Sequence, residues 1–170
     1  DYNPSGKLPV TFYKNSAQLN DFEDYSMKGR TYRYMNDALF PFGFGLSYTR
    51  FKIDNARLNK QDIGKNETLT ISVPVTNSGN RTGTEVVQVY IRKLNDTDGP
   101  LKSLKGFKRV ELQAKETKSV TINLPFSSFE FYDRQQRKMA VTPGVYEILY
   151  GNSSDRKDLK SAQVTIDYSL

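Results

Sequence analysis

The chain has 170 residues, 25 Lys and Arg against 19 Asp and Glu (formal net charge +6), and neither Cys nor His. The missing Cys rules out a disulfide framework, a thiolate nucleophile and a Cys-ligated metal; the missing His rules out a Ser-His-Asp triad and leaves proton chemistry to carboxylates, Tyr, Lys and Arg. The positive excess does not point to nucleic acid, because Lys102, Lys105, Lys108, Arg109, Lys115 and Lys118 alternate with Glu111 and Glu116 as on the polar face of a sheet.

The chain opens Asp1-Tyr2-Asn3-Pro4, with no Met and no basic-then-apolar leader, and so reads as a piece of a longer protein. Residues 1–47 hold Pro4, Gly6, Pro9, Gly29, Pro41, Gly43 and Gly45, a density of breakers that forbids long helices and strands. The apolar residues of this stretch keep no period. It is expected to lie across another surface on aromatic anchors, as the closing stretch of a preceding domain.

From residue 48 the pattern becomes regular. Phe51 and Ile53, with Ala56 or Leu58, suggest a first strand. Leu69, Ile71, Val73 and Val75 alternate strictly, as do Val87, Val89 and Ile91, with Val86, Gln88 and Tyr90 on the opposite face. Residues 94–100 form a loop, and a weaker strand covers 104–112. Val120, Ile122 and Leu124 alternate until Pro125 stops them. The aromatic run Phe126, Phe129, Phe131, Tyr132 leads to Asp133, and residues 134–138 form a polar loop or hairpin tip. Val145, Tyr146, Ile148 and Tyr150 follow the turn Thr142-Pro143-Gly144, and Val164, Ile166 and Tyr168 close the series. About seven strands with frequent turn signals predict an all-β, immunoglobulin-like antiparallel β-sandwich over 48–170, preceded by the irregular extended segment 1–47. Aromatics that are all Tyr and Phe agree with strands. No apolar run approaches the roughly 18 residues of a membrane span, and no cofactor or metal is called for.

Several motifs, in order, carry a resemblance. Leu39 to Thr49 reads LFPFGFGLSYT, Asn3 to Pro9 reads NPSGKLP, and Leu104 to Val110 reads LKGFKRV. Phe131-Tyr132-Asp133, Pro143 to Glu147 and Gly151 to Ser154 also fit. Together they closely resemble the C-terminal part of glycoside hydrolase family 3 enzymes, including its fibronectin type III-like domain. Asp24 to Tyr34, DYSMKGRTYRY, resembles the form common in β-xylosidase-like members. The resemblance implies a parent that hydrolyses terminal β-linked xylose or glucose with retention, using an Asp and a Glu that both lie upstream of this chain. It also implies a secreted or periplasmic location, the parent's catalytic domains as partners, and contact with β-linked oligosaccharide only through the parent.

No catalytic residue is therefore assigned. Asp21, Glu23 and Asp24 read as a solvated acidic turn or as partners for Arg30 and Arg33, and not as a catalytic pair. Arg30, Tyr32, Arg33 and Tyr34 are substrate-side candidates in the intact parent, since Arg forks onto carboxylates and Tyr stacks on sugars. The competing and preferred reading has Arg30 and Arg33 anchoring the segment to the preceding domain through buried acidic partners. Phe40, Phe42 and Phe44 read as packing. Asn66, Asn80, Asn95 and Asn152 begin Asn-x-Ser/Thr triplets but receive no role, and Asp96 with Asp98 reads as a turn and not a calcium loop. The leading function is an accessory, structural module of a glycosidase; the alternative is an independent carbohydrate-binding or adhesion sandwich, weakened by the lack of Trp.

Overall fold

The computed structural model describes residues 2–168. Asp1, Ser169 and Leu170, at the ends of the two expected regions, lie outside the described residues. One sheet is built on β4 (Thr68–Asn77), which pairs along one edge with β1 (Phe51–Ile53) and β2 (Arg57–Leu58) and along the other with β7 (Thr117–Pro125). The second has the order β3 (Asp62–Ile63), β11 (Leu159–Ile166), β10 (Gly144–Gly151), β5 (Gly83–Lys93), β6 (Ser103–Leu112). All pairings are antiparallel except β3 with β11. A two-stranded hairpin, β8 (Phe131–Asp133) with β9 (Lys138–Ala140), closes one end.

Alternation explains the two sheets. In β4, Leu69, Ile71, Val73 and Val75 are fully buried between partly exposed neighbours, as a period of two requires. Val87, Val89 and Ile91 of β5, Val120, Ile122 and Leu124 of β7, and Ile148 and Ile166 meet them in one core. Each such aliphatic side chain contributes roughly 1.5–3 kcal/mol by leaving water. Tyr146, near the start of β10, donates its hydroxyl to the Thr142 carbonyl at 2.7 Å, the tyrosine corner of immunoglobulin-like sandwiches.

The expectation of about seven strands holds for the framework: β1, β4, β5, β6, β7, β10 and β11 carry the two sheets, with the two-residue β2 and β3 added to them. Two of its details change. The first expected strand breaks into β1 and β2 around Asp54, and both pieces lie along the same edge of β4. The two-residue β3, which crosses to pair with β11, was not expected: two residues show no alternation.

Candidate functional site: a clasp between the leading segment and the sheet

The leading segment has no core of its own, as expected: no hydrophobic side chain from Tyr2 to Tyr48 is buried. It doubles back on itself instead. The Leu8 amide donates to the Phe44 carbonyl and the Gly43 amide to the Leu8 carbonyl, both at 2.8 Å, while Phe12 and Phe40 form an isolated bridge. The returning limb lies on the outer face of β5, β6 and β10. There Gln88, 3% exposed, donates Nε2 to the carbonyls of Gly43 (3.2 Å) and Asn152 (2.8 Å), and its Oε1 accepts the Tyr90 hydroxyl at 2.5 Å. The Ser154 amide donates to the Phe42 carbonyl at 2.9 Å. Lys7 pairs with the buried Glu85 at 2.7 Å, and Arg109 donates to Ser5 Oγ at 2.9 Å. Asn3 fastens the segment's ends, accepting from the Tyr48 amide at 2.8 Å and donating to the Thr82 carbonyl at 3.0 Å.

The four candidate residues do not converge on one cleft. Thr31–Tyr34 form a single helical turn, α1, entered through Thr31 at φ +54. Tyr32 points inward, stacked on Phe42 at 4.4 Å between centroids and edge-on to Tyr90 at 5.7 Å, and its hydroxyl accepts from the Leu104 amide at 3.1 Å. Burial pushes the Tyr90 hydroxyl far above the usual tyrosine range, with Tyr32 adding to it, so Tyr90 stays a neutral donor. Arg30 turns back onto the preceding arm and donates to the Asp24 carbonyl, while its buried Nε has no partner. Arg33 is exposed, and its guanidinium makes no hydrogen bond among the described residues; its carbonyl accepts from the Leu101 amide at 2.7 Å. Tyr34 is half-buried.

The acidic arm is the solvated turn the sequence suggests. Asp24 accepts from the Ser26 amide at 2.8 Å and from Asn20 at 2.9 Å. The Ser26 bonds, with Asn20 and the Arg30 charge, hold its carboxyl below the usual range, the opposite of a general acid's need. Around it Phe22 and Tyr25 stand 93% and 90% exposed. Asp96 accepts from the Gly99 amide at 3.0 Å, which makes the 94–100 loop a capped turn.

Lys102 corrects the sequence reading. Expected on a solvated sheet face, it is 3% exposed and covered by the chain after α1, where its Nζ donates to Asn36 Oδ1 at 3.0 Å. Sequence spacing did not show this, because the cover comes from 66 residues upstream. Burial, reinforced by Arg156 and Arg92 and opposed by Asp155, pushes the ammonium down from 10.5 to about 8. Between those values the unfolded chain holds more protons than the folded one, so this group's contribution to stability rises with pH. Relative to Lys102→Met, the native chain is expected to gain stability between pH about 8 and about 10.5 in urea denaturation at each end of that window. A difference that does not change with pH would show that the ammonium is not desolvated.

Fold and clasp define a fibronectin type III-like sandwich carrying a docked, coreless extension. A family model described as the glycosyl hydrolase family 3 C-terminal domain matches residues 1–48, and one described as a fibronectin type III-like domain matches residues 85–154. A xylan 1,4-beta-xylosidase of Xylanibacter ruminicola is 54% identical over 98% of the chain, and a periplasmic beta-glucosidase of Salmonella typhimurium 35% over 92%. The chain spans 19% and 22% of the lengths of these two relatives. A solved beta-glucosidase from Listeria innocua in complex with glucose superposes with a TM-score of 0.80 at 31% identity, over 99% of this chain and 25% of that one. The beta-glucosidase from Kluyveromyces marxianus gives 0.82 at 31% identity, over 98% and 21%. The chain belongs to glycoside hydrolase family 3, as the C-terminal region of its β-xylosidases and β-glucosidases. Among the described residues no helix is long and apolar enough to cross a membrane.

Proposed function

We propose that the chain is the accessory, structural C-terminal part of a secreted or periplasmic retaining β-glycosidase that releases terminal β-linked xylose or glucose. Residues 1–47 complete the preceding catalytic domain and residues 48–170 form the sandwich that braces it. The observation that carries this reading is the dual character of the leading segment. It is tied to β5, β6 and the loop after β10, while Tyr2, Leu19, Phe22, Tyr25, Leu46 and Tyr48 are all more than half exposed. So many exposed large apolar side chains in one segment point to an interaction surface, and the catalytic domains of the parent are the partner in this reading. Tyr32 and Arg30 brace the segment, which leaves Arg33 to face the parent or its substrate.

Retaining hydrolysis needs two carboxyl groups about 5–5.5 Å apart, one as nucleophile and one as acid/base. The buried carboxylates of this chain are committed elsewhere, Glu85 to Lys7 and Glu147 to Arg156 at 3.3 Å. The purified chain is therefore expected to leave aryl β-xyloside and aryl β-glucoside intact, while a full-length parent turns them over. Hydrolysis by the chain alone would overturn the proposal and direct mutagenesis to Asp21, Glu23 and Asp24.

A further inference from the structure

Two loops meet at one end of the sandwich, residues 94–100 between β5 and β6, and the 134–137 turn of the β8–β9 hairpin. Arg134 pins them together, pairing with the Asp98 carboxylate and donating to its carbonyl at 3.3 Å. Between them lies a cavity of about 380 Å³, lined by Lys93, Asn95, Asp96, Tyr132, Asp133 and Gln135, with the Phe131 ring contributing apolar surface. The volume is in the range of small-molecule sites.

The charged groups around the cavity already hold hydrogen bonds. Lys93 donates to Thr142 Oγ1, Asp96 accepts from the Gly99 amide at 3.0 Å, and Asp133 accepts from the Gln136 amide at 2.9 Å and from its Nε2 at 3.2 Å. These bonds to Gln136 hold the Asp133 carboxyl below the usual range. With Arg134 paired to Asp98, the two carboxylates Asp96 and Asp133 outnumber Lys93 in the lining, which disfavours an anion and leaves carboxylate oxygens able to accept from ligand hydroxyls. Among the described residues, the lining groups without a hydrogen-bond partner are the side-chain amides of Asn95 and Gln135 and the hydroxyl of Tyr132, whose residue is 57% exposed. An aromatic face beside free amide donors and acceptors matches a neutral polyhydroxylated ring, which is apolar across its C–H face and polar around its rim.

We infer that this cavity is a non-catalytic binding site for one neutral pyranose unit of an oligosaccharide, with Tyr132 as the platform and Asn95 and Gln135 reading its hydroxyls. Tyr132 takes the part that Trp plays on broader platforms. The inference stands apart from the accessory role: a chain that does not brace a glycosidase can still bind sugar here, and the reverse also holds.

The test is a titration of the ¹⁵N-labelled 170-residue chain with xylotriose and with cellotriose, read by amide chemical shifts. Saturable shifts at Asn95, Tyr132 and Gln135 are expected, with a dissociation constant on the order of millimolar for so small and open a site. Tyr132→Ala is expected to weaken binding at least about tenfold, and Tyr132→Phe to hold it within about threefold, because the ring face carries the contact. The exposure of Tyr132 spares the fold in both variants, which the unchanged spectrum of the β4 amides will confirm. The inference is overturned if neither sugar gives saturable shifts, if the shifts map to other residues, or if Tyr132→Ala binds like the native chain.

Discussion

Replacing Tyr146 by Ala is expected to destabilise the chain by about 3–5 kcal/mol, and by Phe about 1–2 kcal/mol. The ring is fully buried, edge-on to Phe129 at 5.4 Å and beside Phe131 at 6.1 Å, so its removal leaves a cavity lined by aromatics. The Phe variant keeps the ring and isolates the hydroxyl. It loses the 2.7 Å bond to the Thr142 carbonyl and the 3.3 Å bond from the Thr142 amide, at the corner where the chain enters β10. Burial raises the pKa of the Tyr146 hydroxyl, so it remains a neutral donor and the loss does not depend on pH near neutrality. Against a typical total of 5–15 kcal/mol, the Ala variant loses between roughly a fifth and all of the chain's stability. Urea midpoints for the three proteins check this. A Phe variant as stable as the native chain would show that the corner bond contributes nothing.

How much of this was legible depended on distance along the chain. The alternation of Leu69, Ile71, Val73 and Val75 is a local property, and the structure places all four in the core. The coreless character of the leading segment was also local, written in its prolines and glycines and in an apolar pattern without period. Its fastenings were not. Gly43 meets Gln88 across 45 residues, and Lys7 meets the Asn152 carbonyl across 145. Gln88 and Glu85, polar residues inside a strand that otherwise reads as core, were the available signal, but nothing in their spacing named the partners. Tyr32 shows the same limit. In the sequence it sits among Arg and Tyr residues suited to a sugar, and the fold spends it on Phe42 and Tyr90. Lys102 misled because a basic residue in a run of basic residues looks solvated until the cover is seen.

Gly43→Ala is expected to release the leading segment while the sandwich stays folded. Gly43 sits at φ +78, where an L-residue is strained by roughly 1–2 kcal/mol. The clash is larger than the strain: a Cβ there would fall 2.0 Å from Gln88 Oε1 and 2.7 Å from Gln88 Cδ. Gln88 is 3% exposed and held by Tyr90 and the Asn152 carbonyl, so it can move aside only by giving up those bonds. Moving it strands buried polar groups at roughly 1–3 kcal/mol each. The segment has no buried apolar side chain to offset that loss, whereas the sandwich core lies on the other face of β5 and keeps its contacts. Hydrogen exchange should quicken at the Leu8 and Ser154 amides, and protease should cut within residues 13–38, with exchange at β4 unchanged. Gln88→Ala removes the atoms that the new methyl strikes, so the double variant is expected to hold the segment better than Gly43→Ala alone, a coupling that a double-mutant cycle measures. Retained protection at Ser154 in Gly43→Ala would place the clasp elsewhere. Release, rescued by Gln88→Ala, would locate in one glycine–glutamine contact the joint through which the sandwich holds the leading segment.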